Sequence, residues 1–283
     1  MNELELIRSL LPHLATRGGD LVVGPGEDDA AAWREPGGGF VVATCDTSVE
    51  GVHFDLSRQR PETVGWRALC FALGDLAAKG ARPTYGLVSL SVPRRWADGV
   101  PQGIYRGLAA LAGDVGLRLV GGDTTQAPTD GSLTLTLLGR APVAPVPRSA
   151  AQPGWLVGVT GPLGGASPDW ERPRPRLVLG ARLAGAGLCC GDISDGLVAE
   201  LDKFAAAAGV GARLRLHRVP LAEGAEPLAA LASGEEVELV CCGPSLPEGV
   251  EPVGELTGDG RVVVLDAAGA EIGLEDRGYD HFA

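Results

Sequence analysis

Strand-length apolar runs alternate with helix-patterned segments along this chain. A stretch rich in proline and alanine, APVAPVPRSAAQPG at residues 141–154, breaks the alternation near its midpoint. Such alternation demands sheets with helices packed on them, and the break separates two such units. With 283 residues the chain can bury one large core or two modest ones. The pattern therefore predicts an α+β protein of two domains, residues 1–142 and 143–283.

In the first unit FVVATCD (40–46) reads as a strand ending in an acid. PETVGWRALCFALGDLAAKGARP (61–83) reads as a helix, opened by Pro61 and stopped by Gly80 and Pro83. TYGLVSLSVP is strand-like, VPQGIYRGLAALAGDVG helical, and LRLVGGD a strand ending in a second acid. SLTLTLLG has the period-two alternation of a half-buried strand. Beyond the break, WLVGVTG reads as a strand, RPRLVLGARLAGAG and DGLVAELDKFAAAAGVG as helices, and ARLRL as a strand before further short strands. At the N-terminus Leu4, Ile7, Leu10, Leu11 and Leu14 fall at helical spacing. That spacing predicts an amphipathic helix lying on a core rather than a signal peptide.

Charge narrows the partners. Lys+Arg number 24 against Asp+Glu 36, a net charge of −12. An acidic chain without a basic block suits neither nucleic acid nor an anionic membrane. No apolar run approaches membrane-spanning length, so the expectation is a soluble, cytoplasmic protein. The six cysteines (Cys45, Cys70, Cys189, Cys190, Cys241 and Cys242) include two adjacent pairs and no zinc-binding spacing. They read as free thiols in a reducing compartment.

The acids carry the chemical signal. Asp28 follows LVVGPGE, Asp46 ends FVVATC, and Asp75 lies inside the apolar CFALGDLAAKGA. Asp123 ends LRLVGG, and Asp192 and Asp195 flank Ile193 and Ser194 in GDISDGL. Each alone could be a strand end, a helix cap or a solvated turn, but Asp75 among leucines needs a partner or a cation. Carboxylates gathered from five regions, without a His/Cys ligand set, point to Mg²⁺ or Mn²⁺. The glycine-rich VGGDTT and GDISDGL offer backbone N–H groups suited to phosphate oxygens. Together they predict a nucleotide held through metal ions. No Walker A lysine fits, since the two lysines lie in AAKGA and LDKFA, and neither HRD nor DFG occurs.

GPGEDDAA, TCDTSVEGVHF, GDLAAKGARP, GGDTT, PRSAAQPG, GDISDGL and the terminal GYDHF occur in that order almost end to end. In this the chain resembles the thiamine-monophosphate kinase family of the aminoimidazole-ribonucleotide synthetase superfamily. The resemblance implies two α+β domains, with the N-terminal domains of a homodimer forming a central β-barrel. It implies Mg²⁺-dependent transfer of the γ-phosphate of ATP to thiamine monophosphate, by in-line attack without a phosphoenzyme. By motif, Asp28, Thr44, Cys45, Asp46, Asp75, Asp123, Asp192 and Asp195 fall at metal-binding positions, with Asp28 and its neighbours forming one wall of the cluster. Tyr105, Gly122, Arg148 and Ser194 fall at nucleotide positions, and His53, Glu235 and Tyr279 on the substrate side.

The chain departs from the family pattern at Glu27, Asp29, Cys45 and Gly74, and SGEEVEL (233–239) stands where the family has GGEDYEL. Those departures keep a second reading open, a divergent superfamily member that binds nucleotide and metal but acts on another substrate or is non-catalytic. Selenophosphate synthetases carry an early reactive cysteine, yet none precedes Cys45, and hydrogenase-maturation relatives end in cysteine, whereas this chain ends GYDHFA.

Overall fold

The computed structural model describes residues 3–14, 18–167 and 169–282. Two sheets form, one on each side of the proline-rich stretch. The first contains β1 (Leu21–Val23), β2 (Ala31–Arg34), β3 (Phe40–Val49), β4 (Arg82–Pro93), β5 (Arg118–Ala127) and β6 (Ser132–Ala141). Its order is β1-β2-β3-β6-β4-β5, antiparallel except for the β4–β5 pair. The second comprises β7 (Leu156–Val159), β8 (Cys189–Asp192), β9 (Gly211–Arg215), β10 (Leu239–Gly243), β11 (Glu251–Thr257), β12 (Val262–Leu265) and β13 (Glu271–Ile272). Its order is β13-β12-β9-β11-β7-β10-β8, with only β9 and β12 parallel.

The period-two pattern of β6 turns Leu133, Leu135 and Leu137 into the core. On β3 the same period sends Phe40, Val42 and Thr44 inward and leaves Cys45 and Thr47 on the outer face. Six α-helices occur among the described residues: α1 (Glu3–Leu10), α2 (Pro61–Ala78), α3 (Val100–Val115), α4 (Leu177–Gly185), α5 (Leu197–Ala208) and α6 (Pro227–Ala232). No helix among the described residues is long and apolar enough to cross a membrane.

Helix α2 is the shared wall. It packs against β3 and β6 of the first sheet, β8 of the second, and both α3 and α4. Such a helix cannot be amphipathic in the ordinary sense, and leucines, alanines and Trp66 bury most of its circumference. Two glycines on its neighbours permit the close approach. A Cβ on Gly107 of α3 would fall 2.0 Å from the Glu62 carbonyl oxygen, and one on Gly180 of α4 would fall 1.9 Å from that of Ala77.

Two local readings change in the structure, those of α1 and α6, while the free, mostly buried cysteines stand as read. Helix α1 buries none of its residues; Ile7, Leu10 and Leu14 are 42–52% exposed. Instead of lying on a core, α1 borders a cleft with Glu3, Leu4 and Ile7. Ala15, at the end of the helical pattern, lies outside the described residues. The cysteine pairs, read only as thiols, are strand residues of β8 and β10, where Cys190 pairs with Cys241 and Cys189 with Cys242. The short α6 escaped the sequence reading because six residues span fewer than two helical turns.

Gly107→Ala gains about 1 kcal/mol of helix propensity but drives a methyl into the backbone of α2. The expected net effect is a loss of about 1–3 kcal/mol, measured as a lower urea midpoint. An unchanged midpoint would show that α2 and α3 separate without cost.

Candidate active site

The turn after β1 brings its acids to the junction between the sheets. Asp28 and Asp29 are neighbours, yet they face different surroundings. The Asp28 side chain is 0% exposed and pairs with Lys79 Nζ at 2.5 Å. It also accepts the Arg148 backbone N–H at 2.9 Å and the Asp29 N–H at 2.9 Å. The Asp29 side chain is 28% exposed and pairs with the Arg148 guanidinium. Burial alone would raise its carboxyl, but Arg148, Lys203 and Lys79 outweigh burial and hold it below the ordinary range.

Two further carboxylates meet Asp29. One ligand atom each from Asp29, Asp75 and Asp192 lies within 4.8 Å of the others. Asp75 comes from α2, Asp192 from the end of β8. Asp75 takes a hydrogen bond from Thr44 Oγ1, and among the described residues neither Asp75 nor Asp192 has a basic partner. Burial first, then the neighbouring acids, raise Asp75 well above the usual carboxylate range and push Asp192 up to about 7. The departure at Gly74 gains a reason here, since a Cβ would lie 2.8 Å from Asp192 Oδ2.

Behind this trio sits a closed ionic network. Arg148 is 2% exposed. Its Nε donates to Glu200 Oε1 at 2.6 Å, and its guanidinium also pairs with Asp29. Lys203 binds Asp195 at 2.8 Å and lies 3.3 Å from Glu200 Oε2. Asp29, Asp195, Arg148, Lys203 and Tyr279 line a cleft of about 480 Å³. Asp46 shares the inward face of β3 with Thr44; burial raises its carboxyl, and His53, Asp195 and Asp29 lie within electrostatic reach.

The substrate-side residues divide. His53 and Glu235 border one small cavity with Arg67 and Phe71. His53 Nδ1 accepts the Val49 N–H at 3.1 Å, and burial, followed by His281, lowers its pKa. Glu235 holds φ 56°, a strained conformation for a residue with a side chain, and pairs with Arg67. Tyr279 lies in the larger cleft, and His281 bridges it to His53 with ring centroids 4.8 and 5.1 Å away. Within SGEEVEL, Glu236 accepts the Gly164 N–H at 2.7 Å and Glu238 accepts the Thr160 hydroxyl at 2.7 Å. Those two glutamates brace loops, leaving Glu235 at the cavity.

Several expected site residues stand elsewhere. The Asp28 carboxylate is taken up by Lys79 and Arg148, and of the acids expected in that wall, Asp28 with its neighbours, it is Asp29 that meets Asp75 and Asp192. Cys45 points its thiol to the outer face, where Thr136 Oγ1 lies at 3.5 Å. Period two dictates that outcome, because Thr44 and Asp46 take the inner face. Gly122 and Asp123 lie on β5, and β6 and β4 separate β5 from β3. Three strand spacings, about 14 Å, therefore keep Asp123 from the Asp46 of the same chain. Tyr105 is 38% exposed on α3. Ser194 remains beside Asp195, with Oγ 3.4 Å from its carboxylate. Sequence reasoning missed Lys79, Lys203, Glu200, Arg67 and His281 as members of the site. The rarity of lysine signalled Lys79 and Lys203 and the terminal GYDHF signalled His281, whereas Glu200 and Arg67 carried no local signal.

Residues 27–141 match the family described as AIR synthase related protein, N-terminal domain. The chain is 30% identical to the thiamine-monophosphate kinase of Bacillus subtilis strain 168, covering 100% of both. It is 29% identical to that of Escherichia coli K12, covering 99% of this chain and 98% of the relative. A solved structure described as AaThiL complexed with AMPPCP and TMP superposes with a TM-score of 0.83 at 25% identity, covering 99% and 97% of the two chains.

Arg148→Met is expected to cost about 3–5 kcal/mol, because it leaves the buried Glu200 carboxylate without its guanidinium while Asp28 keeps Lys79. Denaturant unfolding in EDTA reads the loss, and adding Glu200→Gln should restore part of it. A wild-type midpoint for the single variant would contradict the clamp.

Proposed function

Because the chain belongs to the thiamine-monophosphate kinase family, we propose that it transfers the γ-phosphate of ATP to thiamine monophosphate, yielding thiamine diphosphate and ADP. The observation that carries this reading is the meeting of Asp29, Asp75 and Asp192 without a basic partner for the last two. A set of hard oxygen donors running from exposed Asp29 to buried Asp192 fits Mg²⁺. Thr44, Asp46 and Asp195 extend the set around its rim. Bound Mg²⁺ supplies charge neutralisation between two polyanions and polarisation of the transferred phosphoryl group.

The chain's own groups have distinct tasks. Arg148 holds Asp29 in place and Lys203 holds Asp195. In this reading Ser194 and the backbone N–H groups around it receive nucleotide phosphate. Arg67 fixes Glu235, and His53 and Tyr279 border the substrate side. The attacking group is a phosphate oxygen whose second pKa is about 6, so it is ionised near neutrality without a general base. Direct in-line transfer then needs no phosphoenzyme.

A homodimer belongs to the same proposal. Tyr85, Leu87 and Val120 of the first sheet are 41–55% exposed, and β5 is an edge strand exposed along most of its length. A long bare edge calls for cover. A second copy on this face would supply it and would bring its own Asp123 and Gly122 toward the site from which β5 of the same chain is separated by β6 and β4.

Purified protein given ATP, thiamine monophosphate and Mg²⁺ should form thiamine diphosphate by chromatography, and EDTA should abolish it. Asp75→Asn keeps an acceptor for Thr44 and removes a buried charge, so it should fold normally while losing about 100-fold or more in turnover. Wild-type turnover in that variant would remove Asp75 from the chemistry. Sedimentation should give twice the chain mass, and Leu87→Asp should yield monomer; a monomeric wild type would overturn the dimer.

A further inference from the structure

Lysine is rare here: two of 24 basic residues, Lys79 and Lys203. Both end in the acid network. Lys79 follows the last residue of α2, where the helix dipole favours a cation. Its side chain is 1% exposed, and its ammonium lies 2.5 Å from Asp28 Oδ2 and 2.5 Å from the Cys190 carbonyl oxygen of β8.

The partner is fully subscribed. Asp28 is 0% exposed. Oδ2 also accepts the Arg148 backbone N–H, and Oδ1 accepts the Asp29 N–H while Arg148 Nη1 lies 3.4 Å away. The next carboxylate in sequence, Asp29, turns the other way, toward Asp75 and Asp192. Two consecutive acids are thus sorted, one to an internal ammonium and one to the open trio. A divalent cation could take Asp28 only by leaving the Lys79 ammonium buried without its counter-charge, which is strongly unfavourable.

We propose that Lys79 is a built-in cation of the active site: it permanently neutralises Asp28, so that Asp28 braces the turn and the Arg148 backbone while Asp29, Asp75 and Asp192 hold the divalent ions without it. This rests on the cation-site reading above and deepens it. Lys79 is a positioning residue, and its removal creates a cation site rather than destroying one. A merely structural lysine would change stability without changing the number of ions bound.

The test counts Mn²⁺ by electron paramagnetic resonance of the free ion, without nucleotide, on wild type, Lys79→Met and the double variant Lys79→Met/Asp28→Asn. Melting midpoints are taken in EDTA and in Mn²⁺. Lys79→Met should bind one more Mn²⁺ per chain than wild type, melt lower in EDTA, and regain more of its midpoint with Mn²⁺. The double variant, which lacks both buried charges, should return to the wild-type count. Equal counts and affinities in wild type and folded Lys79→Met overturn the inference alone. If the single variant does not fold, the double variant decides: a wild-type count supports the inference, and one ion fewer overturns it. Absence of Mn²⁺ binding by every protein overturns the cation-site reading and the inference with it.

Discussion

A guanidinium and an ammonium closed off from water hold the two halves of this molecule in register. Arg148 and Lys79 are 2% and 1% exposed. Charges at such depth are tolerated only when nearly every donor meets an acceptor, because the desolvation cost is large and geometry alone recovers it. Arg148 comes from the connection between the sheets, Glu200 from α5, Lys79 from the end of α2, and Asp28 and Asp29 from the turn after β1. Four chain segments remote in sequence meet in one ionic knot, so each is positioned by the others.

Helix α2 arranges what faces that knot. Arg67, Phe71, Asp75 and Lys79 recur every four residues and therefore follow one slowly drifting stripe along the helix. At 1.5 Å per residue the stripe extends about 18 Å. Arg67 reaches Glu235 at one end, Asp75 meets Asp192 in the middle, and Lys79 takes Asp28 at the other. Substrate side, cation site and internal ion pair are thus spaced by a single rigid element, whose burial between two sheets prevents it from rotating.

The altered glutamate segment fits the same logic. In SGEEVEL, Glu236 and Glu238 are 4% and 3% exposed and bind loop groups near Gly164 and Thr160. Glu235 alone turns to the cavity, in a backbone conformation that ordinary residues avoid. Substitution within this segment changes Ser233, Glu236 and Val237, while the brace Glu238 and the acid facing the cavity, Glu235, are kept. The motif's chemistry and its architecture are therefore carried by different side chains.

Much of the fold was legible in the sequence. The alternation in β6, the boundaries of α2 and α3, and the acids at strand ends all follow from local periodicity and from glycine and proline positions, which act over a few residues. Asp75 declared itself because a carboxylate among leucines costs too much to stand alone. The sorting of Asp28 from Asp29 was not legible, since adjacent acids look alike until Lys79, 51 residues away, closes on one of them. Nor could the sequence place Asp123 two strands beyond the reach of Asp46, because strand order is set by pairing rather than by succession along the chain. The sequence by itself determined which elements form and that acids gather at their ends. Only the tertiary structure decided which acids remain open to cations, because a carboxylate's role depends on the charges and solvent around it, and those arrive from the rest of the chain.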